Sequence, residues 1–173
     1  PALVAFARGL VGDEEMARDI TQDAFVDAWR AASQHMPPFE PFETPDDLTG
    51  IRRWLFTVTF RRAIKHRRRG RRIAWESLEA RGAAIPAMLR ASPPFEDALA
   101  EADVLRAALR SIEPEDAACV LLQVVHGFST AEIAEILAIR ADAVRKRLSR
   151  AKQRLRDAYL TRSQPEPRQQ HEG

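Results

Sequence analysis

Cysteine occurs once in this 173-residue chain, at Cys119, so no intrachain disulfide can form, and a reducing compartment suits the composition. The four histidines, His35, His66, His126 and His171, are dispersed, and no metal-ligand spacing joins them to the lone cysteine. No glycine-rich phosphate loop occurs, and the carboxylates fall on exposed helical faces. No catalytic residue, metal or cofactor is therefore expected, and the chain does not read as an enzyme. Long apolar runs are missing too: none approaches the roughly 20 residues needed to cross a bilayer. The N-terminus shows no secretory pattern, so membrane insertion is not expected and a cytoplasmic location is. Nothing has the alternating pattern of a strand. An apolar share of 45% is present, enough to build a core and to exclude wholesale disorder.

The net charge of +2 conceals a block pattern. Residues 1–50 carry three basic and ten acidic groups, and residues 51–72 carry ten basic and no acidic ones. Residues 73–139 return to −7, and residues 140–162 swing to +7. The densest run, RRAIKHRRRGRR at 61–72, directly follows the apolar WLFTVTF. Two cationic blocks separated by acidic segments are what a polyanion gripped at two places requires. Solvated helix faces are the alternative reading of either block alone.

Helical spacing recurs, with Ala, Leu, Arg and Glu dominant. The spacing predicts a helix over 13–33 with Asp13 as N-cap and an inward stripe of Met16, Ile20, Ala24 and Ala28, flanked by Ala17, Phe25 and Trp29. Its other side carries Asp19, Gln22, Asp23 and Arg30. Four prolines break the pattern within residues 35–47. A second long helix is expected from about Asp47 to Arg69, stopped by Gly70, with Trp54, Leu55 and Val58 facing Ile20, Phe25 and Trp29. The expected organisation is a first domain over 1–70, a linker over 71–95, a second domain over 96–160 and a disordered tail over 161–173. The fold class is all-α: two small helical domains joined by a flexible linker. Pro114 fits the first turn of a helix.

Residues 127–156 read GFSTAEIAEILAIRADAVRKRLSRAKQRLR. Ser129 and Glu132 have the spacing of a capping box. The short helix after it buries Ile133, Ala134, Ile136 and Leu137, and Ile139 sits at a turn. A second helix turns Val144, Leu148, Ala151 and Leu155 inward and surrounds them with Arg145, Lys146, Arg147, Arg150, Lys152 and Arg154. This is the layout of a helix-turn-helix whose second helix enters a major groove. A plain amphipathic hairpin with a basic surface is the alternative.

With both ends in view, the chain resembles a bacterial sigma factor of the sigma-70 superfamily, in its extracytoplasmic-function (ECF) group. That group keeps two helical domains, σ2 and σ4. ARDITQDAFVDAWR resembles the helix that grips the β′ clamp helices of core RNA polymerase, which implies contacts from Asp19, Gln22, Asp23 and Phe25. WLFTVTFRRAIKHRRRGRR resembles the segment that opens and reads the −10 promoter element. The residues it implicates are Phe60, Arg61, Arg62, Lys65, Arg67, Arg68 and Arg69. Phe60 itself fits either a core position or a platform for an unstacked base. The C-terminal stretch resembles the σ4 reader of the −35 element, which implicates Arg140, Arg145, Lys146, Arg147, Arg150 and Arg154. Arg145 is the expected base contact, with Arg150 and Arg154 on phosphates.

Several positions depart from the family pattern. Thr59-Phe60-Arg61 stands at the usual Ala-Arg-Asn, Lys65 replaces an acid, Ala138 replaces the turn glycine, and Arg140 replaces the N-cap serine. The chain begins at Pro1, inside the family's first helix, so missing N-terminal residues are expected. The implied partners are core polymerase, including the β flap, promoter DNA and an anti-sigma factor. A helix-turn-helix regulator acting without polymerase is the competing reading, and an adaptor that reads no DNA is a third.

Overall fold

The computed structural model describes residues 1–34, 46–81 and 97–163. Seven α-helices occur among them: α1 (Ala2–Val11), α2 (Glu14–Ser33), α3 (Asp46–Arg81), α4 (Asp97–Ser111), α5 (Pro114–Val120), α6 (Thr130–Leu137) and α7 (Ala141–Ser163). A π-helical stretch, Leu121–Val125, continues α5.

Local signals set most helix ends. Asp13 adopts an extended backbone and accepts the Met16 N–H at 2.7 Å, which starts α2. Pro114 opens α5 from the first turn, where its missing N–H costs nothing. Gly12 closes α1 at φ 80°, and its N–H returns to the Arg8 carbonyl at 2.8 Å.

Gly70, expected to stop α3, lies inside it, and the helix runs on to Arg81. A single interior glycine costs only about 1 kcal/mol relative to alanine, too little to stop a long helix by itself. Part of the expected linker is therefore helix; residues 82–96 lie outside the described residues, as do the proline-rich segment over 35–45 and the tail beyond 163.

The inward face of α2 is also rotated from the expected one. Ala17, Ile20, Thr21, Ala24, Ala28 and Ala31 are buried, whereas Phe25 is 53% and Trp29 75% exposed. Small residues on the buried face bring α2 close to its neighbours, and that places both aromatics outside. On α3 the buried positions are Phe56, Thr59, Phe60, Ala63 and Ile64, while Trp54, Leu55 and Val58 are half-buried.

The two helical halves, α1–α3 and α4–α7, share one continuous core. Helix α1 packs on α2 and α3 in its own half and on α4 and α5 in the other. Phe6 meets Phe56 at 5.1 Å between ring centroids, and Phe56 in turn meets Phe128 at 4.9 Å and His126 at 4.8 Å. Aromatic contacts in these tilted and edge-on arrangements add to simple area burial. Gly9 permits the approach of α1, since a Cβ there would lie 2.7 Å from Leu121 Cδ1.

Candidate nucleic-acid interface

The helix-turn-helix is built from the residues that announced it. Glu132 N–H donates to Ser129 Oγ at 3.3 Å, and the Ser129 N–H donates to Glu132 Oε2 at 2.8 Å, completing the capping box. Donation by the Ser129 hydroxyl and then by its backbone N–H holds the Glu132 carboxyl below the usual carboxylate range. Helix α6 ends at Ala138, which is left-handed at φ 54°, the one non-glycine residue with positive φ among those described. Ile133, Ile136, Val144, Leu148 and Ala151 are buried where the two helices meet. The chain reverses there and presents α7 outward.

The cations of α7 divide into paired and open ones. Asp116 of α5 is buried and receives Arg147 at 2.9 Å and Arg154 at 3.4 Å. Arg145 pairs with Asp142 in the first turn, and Lys152 donates to Gln123 at 3.1 Å. The side chains of Lys146 and Arg150, and of Arg140 just before the helix, are exposed and make no hydrogen bond or ion pair among the described residues. Lys146, Ser149, Arg150 and Gln153 are all exposed, and their spacing puts them on one outer face of α7.

The cations of α3 divide differently. Arg62 reaches back to Asp23 and Asp27 on α2, each at 2.6 Å, and fastens the two helices. Arg67 donates to the carbonyls of Leu10 at 3.1 Å and Arg110 at 3.3 Å, and Arg68 pairs with Glu115 at 3.4 Å. The side chains of Arg61, Lys65 and Arg69 are exposed and make no hydrogen bond or ion pair among the described residues. Phe60 is only 8% exposed, so the ring packs in the core and offers no base platform in this conformation. A cleft of about 480 Å³ opens between part of α3 and the helix-turn-helix, with Arg61, Lys65, Arg68 and Arg147 among its lining residues.

On α2, Asp19, Gln22, Asp23 and Phe25 are all exposed, though Asp23 is shared with Arg62. Trp29 joins Phe25 one turn further on, a neighbour that the expected inward packing had hidden. Sequence reasoning also missed Arg52 and Arg53. Arg52 lies 4.0 Å over the Phe128 ring and donates to the His126 carbonyl, and Arg53 pairs with Glu135 of α6 at 2.6 Å. Asp116 was missed as well, although an acid set against AACVLL was a visible signal. Burial pushes the Cys119 thiol up to about 11, which removes it as a nucleophile near neutral pH. No three His, Cys, Asp or Glu side chains among the described residues are placed to hold a metal ion. No helix among them is long and apolar enough to cross a membrane.

An all-helical chain whose capped, tightly turned helix pair carries an open cationic face belongs to the helix-turn-helix class of DNA-binding architectures. The family model for sigma-70 region 4 matches residues 102–155. The chain is 32% identical over 161 residues to the ECF RNA polymerase sigma factor SigE of Mycolicibacterium smegmatis, covering 92% of this chain and 58% of the relative. It is 34% identical over 166 residues to a protein of Xanthomonas campestris pv. campestris described as "Probable RNA polymerase sigma factor RfaY", covering 92% of this chain and 38% of the relative. The chain thus spans little more than half of the first relative and well under half of the second. Among solved structures, the sigma factor RpoE in complex with the anti-sigma factor NepR from Bartonella quintana superposes with a TM-score of 0.65 at 25% identity, over 95% of this chain and 92% of that one. Residues 102–155 thus match sigma-70 region 4, and along nearly its whole length the chain is similar to ECF sigma factors.

Proposed function

We propose that this chain is a dissociable specificity subunit of bacterial RNA polymerase, working in the cytoplasm, that directs promoter recognition and opening. The observation that carries this reading is the pairing, in one chain, of a helix-turn-helix with an open cationic second helix and a separate exposed acidic and aromatic face on α2. A repressor or activator acting without polymerase has no use for the second surface.

In this reading Asp19, Gln22 and Phe25, extended by Trp29, dock on the β′ clamp helices, and Asp23 contributes there while braced by Arg62. The open cations of α3, Arg61, Lys65 and Arg69, attract the backbone around the −10 element. Helix α7 enters the major groove at −35, and the C-terminal half meets the β flap. Elements centred about 25 base pairs apart lie roughly 85 Å apart at about 3.4 Å per pair. Halves that share a core cannot span that distance, so engagement of both elements requires them to separate on polymerase. A partner of the anti-sigma class, as RpoE has in NepR, has the packed form as its natural target.

The test is transcription by core polymerase with and without the protein, followed by sequencing of the RNA. New start sites that share upstream elements are expected. Asp19→Lys combined with Trp29→Ser should weaken co-purification with core polymerase about tenfold, roughly 1.4 kcal/mol, with helical content intact. Binding to duplex DNA without any effect on polymerase output would favour the stand-alone regulator instead.

A further inference from the structure

Asp116 is the one charged residue that is buried among those described, at 2% exposure. Both of its oxygens are turned to α7: Oδ1 accepts from Arg147 at 2.9 Å and Oδ2 from Arg154 at 3.4 Å. These arginines are seven residues apart, two helical turns, and so lie on the same side of α7. A carboxylate this deeply buried is costly to leave without its cations. The arginines therefore have a resident anion, and a phosphate must compete with it.

We infer that Asp116 is a positioning residue for DNA reading. It withholds Arg147, and in part Arg154, from the DNA backbone. It also sets the roll of α7 so that Lys146, Ser149 and Arg150 face outward. The inference rests on the DNA-binding role proposed for α7 and adds which of its cations take part. A tally of positive charge counts all of them alike; the fold subtracts two through one side chain on a neighbouring helix.

The experiment uses the full chain and a mixed-sequence duplex, with affinity measured across a salt series. Freed arginines reach phosphate, so Asp116→Asn should steepen the slope of log affinity against log salt by about 0.9 for each arginine released, up to about 1.8. Asp116→Glu keeps the charge and should return the slope towards wild type. Asp157→Asn removes an equal charge from an exposed site on α7 and serves as the control for net charge. Amide hydrogen exchange over residues 147–156 should quicken in Asp116→Asn and not in Asp157→Asn.

The inference is overturned if Asp116→Asn and Asp157→Asn give the same slope. If Asp116→Asn does not fold, Arg147→Gln decides the matter: a slope equal to wild type supports withholding, and a slope shallower by about 0.9 places that arginine on phosphate and overturns it. Transcription is not read in this experiment. A failure of the sigma reading would appear in the polymerase assay and leave the slope comparison standing.

Discussion

The basic blocks on α3 and α7 look alike in sequence and are used differently in the fold. On α7 the paired cations find partners within their own half: Asp142, Gln123 and the buried Asp116. On α3, Arg67 ties α1 to α4 and Arg68 reaches α5, so these positive charges join the halves. Arg52 and Arg53, upstream on α3, do the same towards the helix-turn-helix. One block is organised for display and the other partly for closure. Local charge density does not distinguish the two; partner distance does.

The shared aromatic cluster offers the hardest test of that difference. Phe56 is buried and touches Phe6, His126 and Phe128, so Phe56→Ala should cost about 3–5 kcal/mol. Urea unfolding followed by tryptophan fluorescence and by amide exchange in α6 should show both halves weakened together. A C-terminal half that kept its full stability would break the idea of a joint core.

Arg67 and Arg69 separate closure from display within a single turn of α3. Arg67→Ala strips a guanidinium from two backbone carbonyls and should lower stability by about 1–3 kcal/mol. Arg69→Ala should stay within about 0.5 kcal/mol of wild type. On duplex DNA the order reverses: only Arg69→Ala should shallow the salt slope, by about 0.9. Equal slopes for the two variants would mean that Arg67 leaves its carbonyls to reach phosphate.

The turn of the helix-turn-helix stores a smaller amount. Ala138 is left-handed, a conformation that costs an L-residue roughly 1–2 kcal/mol and glycine almost nothing. Ala138→Gly should raise stability by about 1 kcal/mol, after allowance for the added freedom of glycine in the unfolded chain. Thermal melting checks it, and a lower melting temperature would show that the turn is not strained.

The mildest expected effect is a pH dependence at the junction. Burial, and then the charge of Arg52, lower the His126 pKa from its ordinary value near 6.5. The folded state thus favours the neutral ring, and protonation favours the unfolded chain. Stability from this group is complete above pH ~6.5 and is lost as pH falls from there through the folded pKa. His126→Gln should flatten that part of the stability–pH curve, measured by urea midpoints between pH 5 and 8. An unchanged curve would assign the dependence to other groups.

Much of this was legible in the chain because the signals are short-range. Asp13, Pro114, the Ser129–Glu132 box and the stripe from Val144 to Ala151 each act within a few turns of helix, where spacing alone determines which groups meet. Two expectations fail, each for its own reason. Gly70 alone cannot stop a helix as long as α3. Large apolar side chains usually turn inward, yet α2 buries its alanines and leaves Phe25 and Trp29 to solvent.

An all-helical fold, two cationic blocks, a helix-turn-helix and the resemblance to a family are readable from the chain alone. Periodicity, caps and charge counts are properties of neighbouring residues. Which cations remain open depends on the packing of distant helices. Asp27 comes to Arg62 from 35 residues away, Glu115 to Arg68 from 47, and Asp116 to Arg147 from 31. The same packing places Phe60 in the core. Those outcomes depend on how helices distant along the chain pack to bury apolar surface, and no local pattern encodes which carboxylate that packing will bring to which arginine.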